Sequence, residues 1–352
     1  MNSNIEPLGH FDQREALQQL LEEEVALNTE HVTADEYKSW TRAKKRAFDI
    51  ERSDRIADSI VIITPALEQL SLAYKRAARV AHRPVGRTGI ILDGEPTTGK
   101  TTAAIRLAGE AFRRHVDRHP RWKEDGHVPA VYLEIPPNCT GKTVMGRIIN
   151  FFGEPVVPRM TLEERTTLAT KLFARAHTSL VIFDEIQNLS QSNSTGRFES
   201  AQAIKNLMNH VKAVPMYVGF DLESSAFTNE ELGAQFASRC VPVRLDKLDI
   251  TTPKGRQLWG GVIVKFEEQL ALLAHPPQTL LKDAMYLWNR TRGSIAALSR
   301  LLTTAALDLI EAGDPDSELI TKELLDSIPL DLTSQRLLSA ASREHEEASH
   351  AA

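Results

Sequence analysis

Eight consecutive residues, Gly94-Glu95-Pro96-Thr97-Thr98-Gly99-Lys100-Thr101, fit the pattern G-x-x-x-x-G-K-S/T without a gap. The chemistry open to such a run is phosphate binding. Its glycines let backbone N–H groups turn inward around phosphate oxygens, and the N-terminus of the next helix adds the positive end of its dipole. Lys100 then reaches the β- and γ-phosphates, and the Thr101 hydroxyl is a hard oxygen ligand of the kind magnesium prefers. ATP and Mg2+ are therefore the expected ligands, with nucleotide contacts from Gly94, Glu95, Pro96, Thr97, Thr98, Gly99, Lys100, Thr101 and Thr102. The flanks agree: Gly89-Ile90-Ile91-Leu92 reads as a strand before the loop, and Thr102-Ala103-Ala104-Ile105-Arg106-Leu107 as a helix after it.

A second constellation is Leu180-Val181-Ile182-Phe183-Asp184-Glu185, four apolar residues running into two acids. An interior strand delivers carboxylates at its C-terminal edge, beside the phosphates. Asp184 is expected as the outer magnesium ligand, leaving Glu185 to polarise the attacking water. Taken alone the run reads as an ordinary strand end; the upstream phosphate loop gives it meaning. A third candidate is Arg239, in Ala234-Gln235-Phe236-Ala237-Ser238-Arg239. It reads either as a surface arginine capping a helix C-terminus or as an arginine finger for a neighbour's γ-phosphate. Thr140-Gly141-Lys142-Thr143 imitates half a phosphate loop, but Pro136 stands where the first glycine is needed. It is not a second nucleotide site, although Lys142 and Thr143 can face an anion.

These side chains need a sheet to position them. Short β-rich runs separated by helical segments predict parallel strands at 88–92, 130–135, 180–183, 216–218 and 240–245. Before them, 12–28 reads as an acidic amphipathic helix; a second helix runs from Thr33 through Trp40 into Arg42, Lys44, Lys45 and Arg46; a third starts at Thr64-Pro65 and ends near Ala81. After about Ile250 only helical patterns remain, at 256–273, 278–288, 295–311 and 321–328. The expected fold is an α/β P-loop NTPase with a five-stranded parallel sheet. Its expected organisation is an N-terminal helical arm (1–85), an ATPase core (86–250), a helical lid (251–330) and a disordered tail (331–352).

Composition excludes several function classes. The 352 residues are 42% hydrophobic and 25% charged, with no apolar run of membrane-spanning length and no secretory pattern at the N-terminus, so a cytoplasmic protein is expected. Two distant cysteines and eleven histidines without ligand spacing argue against a disulfide framework or a zinc site. A net charge of −5 excludes a uniformly basic surface but not a basic patch.

Further residues carry a family resemblance. Glu185-Ile186-Gln187-Asn188-Leu189, Pro215-Met216-Tyr217-Val218-Gly219, Ala237-Ser238-Arg239 and Gly293-Ser294-Ile295-Ala296-Ala297-Leu298-Ser299-Arg300-Leu301-Leu302 together resemble the TniB/TnsC family, AAA+ ATPases of DNA transposition, over about 33–330. The resemblance implies homo-oligomeric assembly on double-stranded DNA, delivery of a target site to a transposase, and Arg239 acting in trans. The sequence departs from the family in three places. Phe220 and Asp221 follow Gly219 where Gly-Thr is usual, with Asp221 a substitute sensor candidate; Gln187 replaces a frequent histidine; and Ala296 stands where many AAA+ lids place an arginine, leaving Arg292 or Arg300 to reach the nucleotide. Slow or partner-stimulated hydrolysis is the expectation that follows.

For DNA contact the candidates are Arg42 to Arg46, Lys75 to Arg87, and Arg113, Arg114, Arg118, Arg121 and Lys123, each of which also reads as a solvated helix face. Two other functions fit the same motifs. One is an AAA+ ATPase of another DNA transaction, such as helicase loading or insertion-sequence help; the other is a nucleotide-switched signalling or defence scaffold without a DNA role.

Overall fold

The computed structural model describes residues 10–23, 32–191, 194–222 and 238–329. The expected tail and residues 234–237 of the expected finger segment lie outside them. The chain opens with helices α1 (Arg14–Glu23), α2 (Ala34–Ser39), α3 (Arg42–Ser59) and α4 (Pro65–Val80). The expected continuous helix through Trp40 is broken there. Trp40 is extended (φ −79°, ψ 156°), and Thr41 starts a new helix by accepting the Lys44 N–H on its side chain.

The five apolar runs form strands β1 (Gly89–Asp93), β2 (Ala130–Glu134), β3 (Leu180–Asp184), β4 (Val214–Gly219) and β5 (Cys240–Arg244). All pair in parallel, in the order β2-β3-β4-β1-β5. Every residue of β1 and β3 is buried, which is why these runs are apolar at consecutive positions rather than alternating. Strand β4 starts earlier than its β-rich core suggests. Pro215 lacks an N–H, but it lies before Met216, where the pairing with β1 begins.

Helix α4 packs on β1, β4 and β5, helix α5 (Lys100–Val116) on β2, β3 and β4, and helix α6 (Gly141–Phe151) on β2; α7 (Leu162–Arg175) and α8 (Ser194–His210) lie against α6. Thr161 and Glu164 close a capping box at the start of α7. The register sets Glu134 beside Asp184, and Asp93 beside both Gly219 and Arg244, so the C-terminal strand ends share one edge.

Among the described residues, those of Met1–Ala26 and Pro65–Leu245 form one compact unit, and those of Leu27–Thr64 and Asp246–Ala352 a second. Residues 1–85 are therefore not a single arm. Helix α4 carries Leu70, Ala73, Tyr74 and Ala77 into the core that surrounds the sheet. Ile56 and Ile62 instead join Trp259, Ile263 and Phe266 in the second unit's core. A buried ion pair explains the allegiance of α3: Arg52, 2% exposed, donates to both oxygens of Glu318, 1% exposed, and to Asp49. The rest of the second unit is all-helical, as expected, with α9 (Pro253–Leu270), α10 (Ala284–Thr291), α11 (Ile295–Ala312) and α12 (Lys322–Ser327). No single helix among the described residues is long and apolar enough to cross a membrane.

Candidate active site

The phosphate loop leaves β1 at Gly94 and enters α5 at Lys100. Its conformation needs its glycines. A Cβ on Gly94 would lie 2.4 Å from the Leu245 carbonyl oxygen, and Gly99 caps α5 at φ +89°. Gly99 brings no side chain to satisfy the first N–H groups of a 17-residue helix, so they remain available to an anion. The Lys100 ammonium donates to the Gly94 and Glu95 carbonyls at 2.9 and 2.8 Å. Burial pushes its pKa down while Glu185, Asp184 and Asp93 push it up, and burial is the larger effect.

The two expected magnesium residues meet. The Thr101 hydroxyl donates to Asp184 Oδ2 at 3.0 Å, the Tyr132 hydroxyl donates to the same oxygen at 2.6 Å, and the Glu185 N–H donates to Oδ1 at 2.8 Å. No group of three or more His, Cys, Asp or Glu among the described residues could hold a metal alone. Two hard oxygens beside a phosphate loop nevertheless fit magnesium, which takes its remaining ligands from phosphates and water.

Glu185 stands at φ +55°, left-handed backbone that a non-glycine residue adopts at some cost. Its carboxylate accepts from the Gln187 amide, whose oxygen in turn accepts the Phe220 N–H at 3.2 Å. A Cβ on Gly219 would come 2.4 Å from that amide oxygen, so the glycine makes room for the bridge. On the other side Asp93 Oδ1 accepts the N–H of Gly94 at 2.9 Å and of Leu222 at 3.3 Å. The segment where the family usually carries Gly-Thr is thus tied to the phosphate loop by Asp93 and to Glu185 by Gln187. Asp221 has φ +53°. Tyr132 and Asp93 escaped the sequence reading as site residues, and Gln187 entered it only as a departure from the family's histidine.

Arg239 is exposed and directly precedes β5. Its carbonyl accepts the Gly89 N–H at 2.9 Å, at the start of β1, whereas the phosphate loop leaves the end of that strand. In the imitation loop, Thr140 caps α6 through the Thr143 N–H, and a Cβ on Gly141 would meet Ala203 Cβ at 3.0 Å. Gly141 therefore serves helix packing, with Lys142 and Thr143 exposed beside it. In the second unit, Arg292 ends α10 and Arg300 is exposed on α11. The histidines, scattered in sequence, are not all scattered in space: His115, His119, His127 and His177 form one group of rings, with His115 Nε2 2.9 Å from His127 Nδ1.

A family model described as the bacterial TniB protein matches residues 62–250, a stretch that includes the loop, the acids and Arg239. The chain belongs to the TniB family. No curated protein matches it in sequence. Among solved structures it is similar to the Aeropyrum pernix ORC2 protein in its ADPNP–ADP complexes, at 16% identity and TM-score 0.53 over 81% of this chain and 71% of that one. It is also similar to the Aeropyrum pernix ORC1 protein in complex with DNA, at 17% identity and TM-score 0.54 over 78% of this chain and 68% of that one. These likenesses give the AAA+ P-loop fold. With its family and its phosphate loop, this TniB chain is an AAA+ ATPase.

Proposed function

We propose that this TniB protein is an ATP-dependent regulator of transposition, which assembles with copies of itself on double-stranded DNA in the cytoplasm, hydrolyses ATP where copies meet, and presents target DNA to a transposase. The observation that carries the nucleotide chemistry is the meeting of Thr101 and Asp184 at 3.0 Å beside the loop of Lys100. On this reading the loop N–H groups, with the contacts expected from Glu95 to Thr102, hold the phosphates, and the Lys100 ammonium leaves its carbonyl partners for the β- and γ-phosphates. Thr101 and Asp184 would hold magnesium, which would supply charge neutralisation at those phosphates. Glu185 takes the proton of the attacking water once its carboxylate is turned to it. Restraint of that carboxylate by Gln187 accords with slow, partner-stimulated turnover.

Arg239 supports hydrolysis between copies. The five-residue strand β1 separates it from its own phosphate loop, about 16 Å at the usual strand rise. That distance suits an arginine that serves a neighbour's γ-phosphate.

DNA binding rests on the family and on charge. In two of the three basic stretches some of the cations are held by local partners. In one, Lys75 pairs with Glu110 and Arg87 donates to the Val211 and Asn209 carbonyls; in the other, Arg121 pairs with Glu124 and Asp125, and Lys123 with Glu22. Arg42, Lys44, Lys45 and Arg46 have no carboxylate partner among the described residues, and the first turn of α3 holds no acid. Lys44 lies 3.6 Å from the centroid of the Trp40 ring. This stretch is the best local candidate for phosphate contact.

Fluorescence anisotropy with a labelled duplex, in ATP, ADP or no nucleotide at two salt concentrations, tests the reading. Binding should require ATP and weaken steeply with salt, since each neutralised phosphate releases counterions. Nucleotide-independent binding, or none at low salt, removes the transposition reading and favours the nucleotide-switched scaffold. ATP-dependent binding with co-purification of a helicase rather than a transposase favours another DNA transaction.

A further inference from the structure

Tyr132 is 2% exposed, in the middle of β2, opposite Ile182 of β3. A buried phenol needs a partner for its hydroxyl, and this one has Asp184 Oδ2 at 2.6 Å. Phe11 closes the other side of the ring, edge-on at 6.1 Å.

The Asp184 carboxylate is consequently almost full. An ionised carboxylate offers about four acceptor positions. Tyr132 and Thr101 occupy two on Oδ2, and the Glu185 N–H occupies one on Oδ1. The Thr101 hydroxyl can offer a lone pair to a cation while its hydrogen still points at Asp184. Asp184 keeps one acceptor position, suited to the hydrogen of a metal-bound water.

We propose that Tyr132 is a positioning residue for magnesium: its hydroxyl locks the Asp184 carboxylate towards Thr101 and keeps Oδ2 occupied, so that Asp184 serves the cation through water. The inference rests on the reading of Thr101 and Asp184 as the magnesium residues. It adds a residue from a neighbouring strand that no phosphate-loop motif contains. Partners that orient a ligand group commonly change metal affinity by about 10- to 100-fold when removed.

Tyr132→Phe retains the ring against Phe11 and deletes only the hydroxyl. The full chain is titrated with Mg2+ while the affinity for a fluorescent ATP analogue is followed, with EDTA as the metal-free reference. The variant should bind the analogue in EDTA within twofold of the parent, yet need about tenfold more Mg2+ to reach half of the metal-dependent tightening. An unchanged Mg2+ midpoint overturns the proposal. So does an equal loss of affinity in EDTA, which would make Tyr132 a support of the loop itself. Asp184→Asn run alongside separates the two layers. If Asp184→Asn leaves the Mg2+ dependence intact, the underlying magnesium reading fails; if it alters the dependence and Tyr132→Phe does not, only the role of Tyr132 fails. Should Tyr132→Phe melt well below the parent, Thr101→Ser is the second variant. It preserves the hydroxyl on Oδ2 with a freer rotor and should shift the midpoint by less than Tyr132→Phe; a larger shift overturns the proposal.

Discussion

Lys100 rests on two carbonyls of the loop it serves, and a triphosphate offers it stronger, charged partners than those carbonyls. Removing such a charge from a partly buried phosphate contact costs about 2–5 kcal/mol. Lys100→Ala should therefore weaken ATP binding by at least 30-fold, measured by calorimetry; equal affinity would refute the loop's assignment. Glu185 makes no claim on ground-state binding, because its carboxylate is occupied by Gln187. Glu185→Gln should bind ATP as tightly as the parent and lose about 10²–10⁴-fold in turnover, the usual worth of a general base. A parallel fall in affinity would mean that Glu185 helps to hold the loop.

At the scale of elements, α5 joins the nucleotide end of the sheet to its opposite edge, where its last turn carries His115 into the histidine group. Burial lowers the His115 pKa to about 4, with His119, His127, His177 and Arg118 adding repulsion; burial likewise lowers that of His127, which Asp125 alone opposes. A folded pKa below the unfolded value of about 6.5 means that the unfolded chain binds more protons, so stability is present above that pH and is lost as pH falls towards 4. Denaturant melts at pH 7 and 4.5 should differ by about 2 kcal/mol on account of His115, and His115→Gln should flatten the difference; an unchanged slope would place the acid sensitivity elsewhere. Helix α6 offers a separate test. Gly141→Ala forces a Cβ against Ala203 and the Glu199 carbonyl, so it should lower stability by about 1–3 kcal/mol and leave ATP affinity unchanged. Weaker ATP binding by a folded Gly141→Ala protein would show that this loop does meet nucleotide.

For the whole molecule, the two compact units divide the labour suggested by their contents, the first holding the phosphate loop and both acids, the second an independent helical core. Arg239 has no use for its own nucleotide if the length of β1 stands between them. Arg239→Ala should bind ATP normally, turn it over slowly, and recover part of the activity when mixed with Lys100→Ala, since some contacts in mixed assemblies pair an intact loop with an intact arginine. Absence of recovery across mixing ratios would refute action in trans.

The sequence by itself determined the phosphate loop, the strand that runs into Asp184 and Glu185, the five parallel strands and the helical run after residue 250. Each is written in contiguous residues: G-x-x-x-x-G-K-T is a local backbone solution to phosphate binding, and a strand buried on both faces must be apolar throughout. What only the tertiary structure decided depends on residues far apart in the chain. Tyr132 meets Asp184 because β2 and β3 are neighbours, and Gln187 meets Phe220 because β3 lies beside β4. Arg52 draws α3 into the second unit through Glu318, 266 residues away, so no local pattern marks the boundary there. The four histidines follow the same logic: their spacing along the chain suits no ligand set, and the ends of α5 and α7 gather them only when the sheet is complete.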